Sequence, residues 1–226
     1  MEGYSRETFD KAQTEEEKNI LLEKAQEDTH GGFSESEEAL NSMRERLLSN
    51  PEKIFHITVG GKTKNELINK LWSKIRGDDK TTLLHGSWAE QLLKGEDFTT
   101  SEKMENIDLV AVSVSDLGFR APTTAEEIYR RAESLGLDIC PAEVGPVLLL
   151  ANLEDDRLFI SAGSEELLIA MNGLGNTARP GSYDGLFALR PFDSFGEPKH
   201  PLLEVVGTKP AASYYPSTVF VFHVRK

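Results

Sequence analysis

The sequence predicts an α+β fold: a mixed or antiparallel sheet with a few packed helices, a C-terminal half that forms a β-meander, and an N-terminal helical arm. Three observations predict it. Helical and strand patterns succeed one another up to about residue 150. Four Ser/Thr-x-x-Glu capping boxes mark helix starts, and the last third holds short apolar runs separated by Gly, Pro, Asp and Asn. We expect an acidic helical arm over residues 1–51 and a single α+β domain over residues 52–226.

The N-terminal arm is set apart by its charge. Residues 1–50 carry 13 acidic and six basic side chains, so −7 of the chain's net charge of −13 lies there. One helix is predicted from Arg6 to Glu27. A second begins at a capping box of Ser34 with Glu37, with Ser36 as the alternative N-cap, and ends before Pro51. This arm either packs on the main domain or docks onto another chain.

The first half of the domain alternates strands with capped helices. Residues 53–59 alternate apolar and polar side chains and predict a strand with one buried face, after which Gly60-Gly61 turns the chain. Gly77 is the predicted end of the next helix, and the short helix after it spans Trp88 to Lys94. The capping boxes of this half are Thr63 with Glu66, Ser87 with Glu90, and Thr123 with Glu126.

The densest structural signals lie between Asn106 and Leu153. Asn106 to Val114 is almost continuously apolar, which is typical of a central strand. A helix that Gly136 ends follows, then a tight Cys140-Pro141 turn and a second buried strand. From there on the sequence predicts an antiparallel meander. Its strands are Val147–Leu153, Leu158–Ala162, Leu167–Met171, Gly185–Arg190, Leu202–Val206 and Thr218–Val224.

Composition excludes several classes of protein. A net charge of −13 and a pI near 4.9 argue against nucleic-acid binding. They fit either solubility alone or a partner that is itself basic. The apolar runs are too short to span a bilayer, and the N-terminus lacks the pattern of a secretory signal. Cys140 is the only cysteine, which excludes an intrachain disulfide and leaves no Cys-based zinc site. We therefore expect a cytoplasmic protein with no cofactor and no membrane association.

Several segments resemble a widespread family of uncharacterised bacterial proteins. They are SWAEQLLK, FTTSEKMENIDLVAVSVSDLGF, TTAEEIYRRAESLGLDICPAEVGPVLLL and the terminal YPSTVFVFHVRK. The resemblance extends from Lys53 to Lys226, is strongest from Trp88 to Leu150, and is most specific at the CPAEVGP run that begins at Cys140. It implies a bacterial or phage-related origin. Since the family has no established activity, it implies no catalytic residue.

Four polar residues between 106 and 146 are candidates for a binding or catalytic site: Asp108, Asp116, Arg120 and Glu143. Asp108 interrupts an apolar strand downstream of Gly86-Ser87, a faint likeness to nucleotidyltransferases. Asn106 stands where their first carboxylate would be, however, and one carboxylate holds a metal poorly. We expect Asp108 to face a wet side of the sheet or to pair with Arg120. Glu143 lies between two prolines, where accepting backbone N–H bonds would fix the turn.

The remaining chemical motifs are better explained by structure. Cys140 follows a helix and has no histidine near it in sequence, which favours a buried thiol over a nucleophile. Gly173 to Ala178 matches a dinucleotide-binding fingerprint, but Pro180 follows too soon for the helix that such a site requires. The five histidines show no metal-ligand spacing.

Two functional hypotheses follow. The first is a non-enzymatic protein-interaction module that binds another protein through its acidic arm or its sheet edge. The second is an enzyme, hydrolase or nucleotidyltransferase-like, whose site is built from the loops between residues 106 and 146. The second requires at least two of the four candidate residues to converge in one pocket.

Overall fold

The computed structural model of the chain describes residues 35–75, 88–152, 164, 166–175, 184–192, 200–208 and 212–226. The helices in these ranges are α1 (Glu37–Leu48), α2 (Lys64–Ile75), α3 (Trp88–Lys94), α4 (Ala125–Ser134) and α5 (Val144–Asn152). The strands are β1 (Ile54–Val59), β2 (Glu105–Ser113), β3 (Thr123–Thr124), β4 (Leu137–Asp138), β5 (Leu167–Ile169), β6 (Gly185–Phe192), β7 (His200–Gly207), β8 (Ser213–Tyr214) and β9 (Val219–Val224). The predicted α+β class is confirmed.

The main sheet has seven strands in the order β1-β2-β9-β5-β6-β7, with β4 paired to β9 beside this row. All neighbouring pairs are antiparallel except β5 and β9. Strand β2 is internal to the sheet, as the continuous apolar run from Asn106 to Val114 predicts. The edges of the row are β1 and β7, so one edge is formed by the first strand of the described residues.

The C-terminal meander is present as β5-β6-β7, three consecutive antiparallel strands. The last strand does not extend it. Instead β9 returns to the middle of the sheet, between β2 and β5. Phe220, Val221 and Phe222 are fully buried there, because a strand with neighbours on both sides and layers on both faces needs apolar side chains at every position.

The prediction of a second buried strand at Val147–Leu153 is wrong, because residues 147–152 belong to helix α5; Leu153 lies outside the described residues. Pro146 lies in its first turn, where a proline costs no hydrogen bond, so the Gly-Pro pair does not mark a turn. The helix contacts β1, β6 and β7, so the sheet curls around it from both edges. The helix is apolar on nearly all sides, and a short apolar run of this kind has no helical periodicity to read.

The predicted helix starts are partly corrected. Thr63 and Glu66 form the predicted capping box at α2. At α4 the box is shifted by one residue to Thr124 and Glu127. Thr123 and Thr124 also pair with Tyr214 and Ser213 in a small second sheet. At α1 the hydroxyl of Ser36 accepts the Ala39 N–H, so the alternative N-cap is the one used. The predicted helix Arg6–Glu27, the strand Leu158–Ala162, and the roles of Ser34, Gly77 and Ser87 lie outside the described residues.

The chain from Asn41 onward forms one compact unit, and the described residues 35–40 belong to a separate one. Within the larger unit Leu47 of α1 is buried, and Arg44 donates a 2.8 Å hydrogen bond to the carbonyl of Arg225. This part of the predicted arm therefore packs on the domain. None of the helices in the described ranges has the length and apolar character needed to cross a membrane.

Candidate functional site: a basic groove at the first strand

A groove of about 380 Å³ lies between β1, the loop after it, α2 and α5. We call it the β1 groove. Its walls combine apolar side chains with lysines and one carboxylate. The lining includes the apolar side chains Ile57, Leu67 and Val147, the lysines Lys70 and Lys74, and the carboxylate Glu143.

The groove lies along the open edge of β1. His56, Ile57 and Thr58 all line it. Successive side chains of a strand point to opposite faces of a sheet, so a single groove touches three consecutive residues only where it follows the main chain at an edge. Within the described residues β1 pairs with β2 alone. The groove therefore exposes backbone N–H and C=O groups that have no strand partner there.

The groove is basic although the protein is strongly acidic. Lys62, Lys70 and Lys74 line it, and all three are exposed. None of their ammonium groups forms an ion pair with another part of the described chain. The pKa of Glu66 is lowered mainly by hydrogen bonds from Thr63, and Lys62 contributes weakly through its charge. Three unpaired lysines thus lie together in a chain of net charge −13.

Glu143 is built into one end of the groove and is only 2% exposed. One carboxylate oxygen accepts the Gly60 N–H at 2.9 Å, and the other accepts the Ser101 N–H at 2.9 Å. The prediction that Glu143 accepts backbone N–H bonds is therefore confirmed, but the bonds join two distant loops rather than fixing its own turn. A buried carboxylate with both oxygens occupied holds the groove's shape.

The loop after β1 is held by further bonds. Gly61 donates its N–H to the Ser101 carbonyl at 3.0 Å, and the Thr100 hydroxyl donates to the Lys62 carbonyl at 2.7 Å. Gly60 and Gly61 have φ angles of +76° and +68°, which side chains with a Cβ rarely adopt. The end of the groove near Lys62 is therefore fixed by backbone geometry.

The three elements that form the groove give consistent lengths for it. From His56 to Gly60 the strand rises about 13 Å, and from Glu143 to Ala151 the helix α5 rises about 12 Å. From Leu67 to Lys74 the helix α2 rises about 10 Å. The groove is thus long enough for about four residues of extended chain at about 3.3 Å each.

Asp108 lies on the exposed face of the sheet, as predicted, but its partner is His56 rather than Arg120. The two side chains are joined at 2.6 Å across the β1–β2 pair. This hydrogen bond is the main reason that the pKa of Asp108 lies below its usual value. Thr58 bonds Asn106 at 2.7 Å in the same way, so the outer side of β1 is a row of paired polar groups.

Asp116 and Arg120 lie away from Glu143. Asp116 bonds Ser113, at the end of β2, and Lys53, just before β1. Glu143 bonds the other end of β1, about 20 Å away along a six-residue strand. Arg120 is exposed in the loop after β2. Of the four sequence candidates only Glu143 lines the groove.

The position of Asp116 makes stability depend on pH. Partial burial of the Asp116 carboxyl raises its pKa. Hydrogen bonds with Ser113 and the charge of Lys53 lower the pKa by more than burial raises it, so the pKa lies below its usual value. A carboxyl with a lowered folded-state pKa stabilises the fold above its unfolded pKa of about 4, and the contribution is lost as the pH falls through the folded value.

We therefore expect Asp116→Asn to cost about 1 kcal/mol or less of unfolding free energy at pH 7, and progressively less below pH 4. Urea unfolding of both proteins between pH 3 and pH 7 measures the difference. Lys53→Met removes only one partner and should cost less. A difference that stays constant down to pH 3 would contradict the role given to the Asp116 carboxylate.

The single cysteine, the glycine-rich run and the possible metal ligands do not form a further functional site among the described residues. Cys140 is buried, burial raises the pKa of its thiol, and the sulfur lies 3.4 Å from the Val221 carbonyl oxygen. Leu174, inside the glycine-rich run, bridges to Gly185 at the start of β6. Residues 176–178 of that run lie outside the described ranges. Among the described side chains no group of three or more His, Cys, Asp or Glu could hold a metal ion.

Sequence reasoning missed the groove lysines. Lys70 and Lys74 are spaced four apart on the predicted helix, three and seven residues after Leu67, so all three share a face. That spacing was a usable signal. The acidic composition obscured it, because net charge describes the whole surface and says nothing of a local patch.

The chain was compared with family models, with curated proteins and with solved structures, and none of them matches it.

Proposed function

We propose that the protein is a non-enzymatic interaction module whose β1 groove binds an acidic segment of a partner protein. The observation that carries the proposal is the set of three unpaired lysines along an open strand edge in an acidic chain. Positive charge without a partner in the described structure is complementary to negative charge on a ligand. The partner segment is therefore acidic, the opposite of what the net charge alone suggests.

The overall charge narrows the class of ligand. A net charge of −13 repels long polyanions such as nucleic acids at a distance. Screening limits this repulsion to about 8 Å at physiological salt, so a short segment held against the lysines is governed by them. The groove's three lysines are exposed, so it opens to solvent, whereas small-molecule pockets enclose most of their ligand's surface. A peptide segment fits these conditions best.

The chemistry of the candidate residues supports a binding role over catalysis. Both oxygens of Glu143 accept backbone hydrogen bonds, and Asp108 is paired with His56. The thiol of Cys140 is buried, and its raised pKa disfavours the nucleophilic thiolate. The enzyme hypothesis requires at least two of the four candidate residues in one pocket. Of the four, only Glu143 lines the β1 groove.

The test measures binding of a fluorescein-labelled hexaglutamate peptide by fluorescence anisotropy. We expect saturable binding that weakens as salt is added. Lys70→Glu with Lys74→Glu replaces two attractions by two repulsions, and we expect affinity to fall roughly tenfold or more, since each exposed pair contributes up to about 1 kcal/mol.

The matched control is Arg120→Glu with Arg130→Glu. It changes the net charge by the same amount at exposed residues that do not line the groove. We expect less than a threefold loss. Equal losses in the two double variants would show that net charge alone governs binding. A single-stranded hexanucleotide that competes as well as unlabelled peptide would likewise overturn the assignment of a peptide ligand.

A further inference from the structure

We propose that the acidic segment binds as an added strand on β1, with its acidic side chains at every second position so that two of them meet Lys70 and Lys74. This inference rests on the proposed function and specifies the conformation and the sequence pattern of the ligand. Three independent features of the groove lead to it.

The first feature is the edge of β1 that has no strand partner among the described residues. Extended peptides bind exposed sheet edges through main-chain hydrogen bonds, with specificity from pockets for alternate side chains. The edge of β1 is lined by the groove over three consecutive residues, and its six residues, IFHITV, include no proline that would interrupt a ladder. The strand therefore offers an uninterrupted row of donors and acceptors.

The second feature is spacing. Lys70 and Lys74 are one helical turn apart on α2, a rise of about 6 Å. Side chains two residues apart on a strand lie on the same side, about 6.6 Å from one another. Acidic residues at i and i+2 of an added strand therefore match the two lysines, whereas adjacent acidic residues point to opposite faces and only one of them reaches a lysine.

The third feature is the contrast between the two faces of β1. On the inner face an added strand meets Ile57, the apolar side chain of Val147 and the α2 lysines. On the outer face His56 and Thr58 are already bonded to Asp108 and Asn106. The outer side chains of the ligand therefore meet a satisfied polar row, and small polar residues such as threonine suit those positions.

Lysines near an open edge have a second known use, since they discourage pairing between copies of a chain. If Lys70 and Lys74 have that role, they disfavour any added strand, and their spacing does not have to match that of acidic residues in a ligand. The two accounts therefore differ in whether a peptide of the right pattern binds and in which of its main-chain amides matter.

The experiment compares two labelled peptides of one composition. One alternates threonine and glutamate, TETETE. The other, which we call the grouped peptide, is TEETTE, in which no two glutamates are two residues apart. We expect the alternating peptide to bind the unmodified protein about fivefold more tightly, because it alone places glutamates two residues apart on the lysine side. This preference should disappear in the Lys70→Glu, Lys74→Glu variant.

The same alternating peptide is then N-methylated either on all its glutamate amides or on all its threonine amides. In a strand these two sets of N–H groups point to opposite edges, so only one set faces β1. We expect one methylated peptide to lose at least tenfold in affinity and the other less than threefold. Equal effects of the two methylation patterns, or equal affinity for the grouped peptide, would overturn strand addition.

The outcomes separate the two proposals. If both acidic peptides bind and need Lys70 and Lys74 but show no dependence on pattern or methylation, the groove binds acidic segments and strand addition is wrong. If neither peptide binds, or the lysine variant binds as well as the unmodified protein, the proposed function fails as well.

Discussion

Replacing Glu143 with alanine is expected to lower the free energy of unfolding by about 3 kcal/mol, since each hydrogen bond to a charged group contributes about 1.5 to 3 kcal/mol and one of the donors becomes buried without a partner. Gly60 is buried, so its N–H loses its acceptor outright. Ser101 is exposed, so water can replace its bond. Urea unfolding measures the change.

Two variants sharpen this prediction. Glu143→Gln keeps the volume and one carbonyl acceptor, so we expect about half the loss seen with alanine. Glu126→Ala removes a carboxylate that is 83% exposed and bonded only to Arg130 in the described structure, and should cost less than about 0.5 kcal/mol. A Glu143→Ala protein as stable as Glu126→Ala would contradict the bridging role of the carboxylate.

Replacing Gly60 with alanine is expected to cost about 3 kcal/mol or more, because strained backbone and a steric clash act together. Its φ of +76° disfavours any residue with a Cβ, and that Cβ would lie 2.0 Å from the carbonyl oxygen of Lys103. The loop has to move, and the bond from the Gly60 N–H to Glu143 is then lost as well.

Gly61 provides the matched control. Its φ of +68° imposes a similar backbone cost of about 1 to 2 kcal/mol. A Cβ there would meet the side chain of Met104, which is 71% exposed and able to move aside. Gly61→Ala should therefore be clearly more stable than Gly60→Ala in the same urea experiment. Equal losses would mean that φ alone, and not the Lys103 backbone, limits this position.

The fold class was predictable because most elements carry local signals. The alternation in β1 and the capping box of Thr63 with Glu66 need no tertiary information. Helix α5 was not predictable in the same way, because the sheet that curls around it removes the polar face on which helical periodicity depends. The central place of β9 follows from long-range pairing, which no local pattern specifies.

The site was predictable only in part. Glu143 stood out because a carboxylate between two prolines in an apolar run needs partners, and it has them. The lysines did not stand out, because their meaning depends on the strand edge beside them. Asp108 and Asp116 lie close in sequence, but Asp108 pairs with His56 on an exposed face of the sheet and Asp116 pairs with Lys53 at the far end of β1. For these two residues, nearness along the chain did not become nearness in space.

The central claim, that the β1 groove is where this protein binds a partner, is tested most directly by NMR. The ¹⁵N-labelled protein is titrated with the alternating threonine–glutamate peptide, and the amide shift changes are placed on the structure. The account predicts that the largest changes fall in residues 56–62, 67–74 and 143–151, and that they are lost in the Lys70→Glu, Lys74→Glu variant. Changes concentrated on α4 and β4, or absent at saturating peptide, would contradict it.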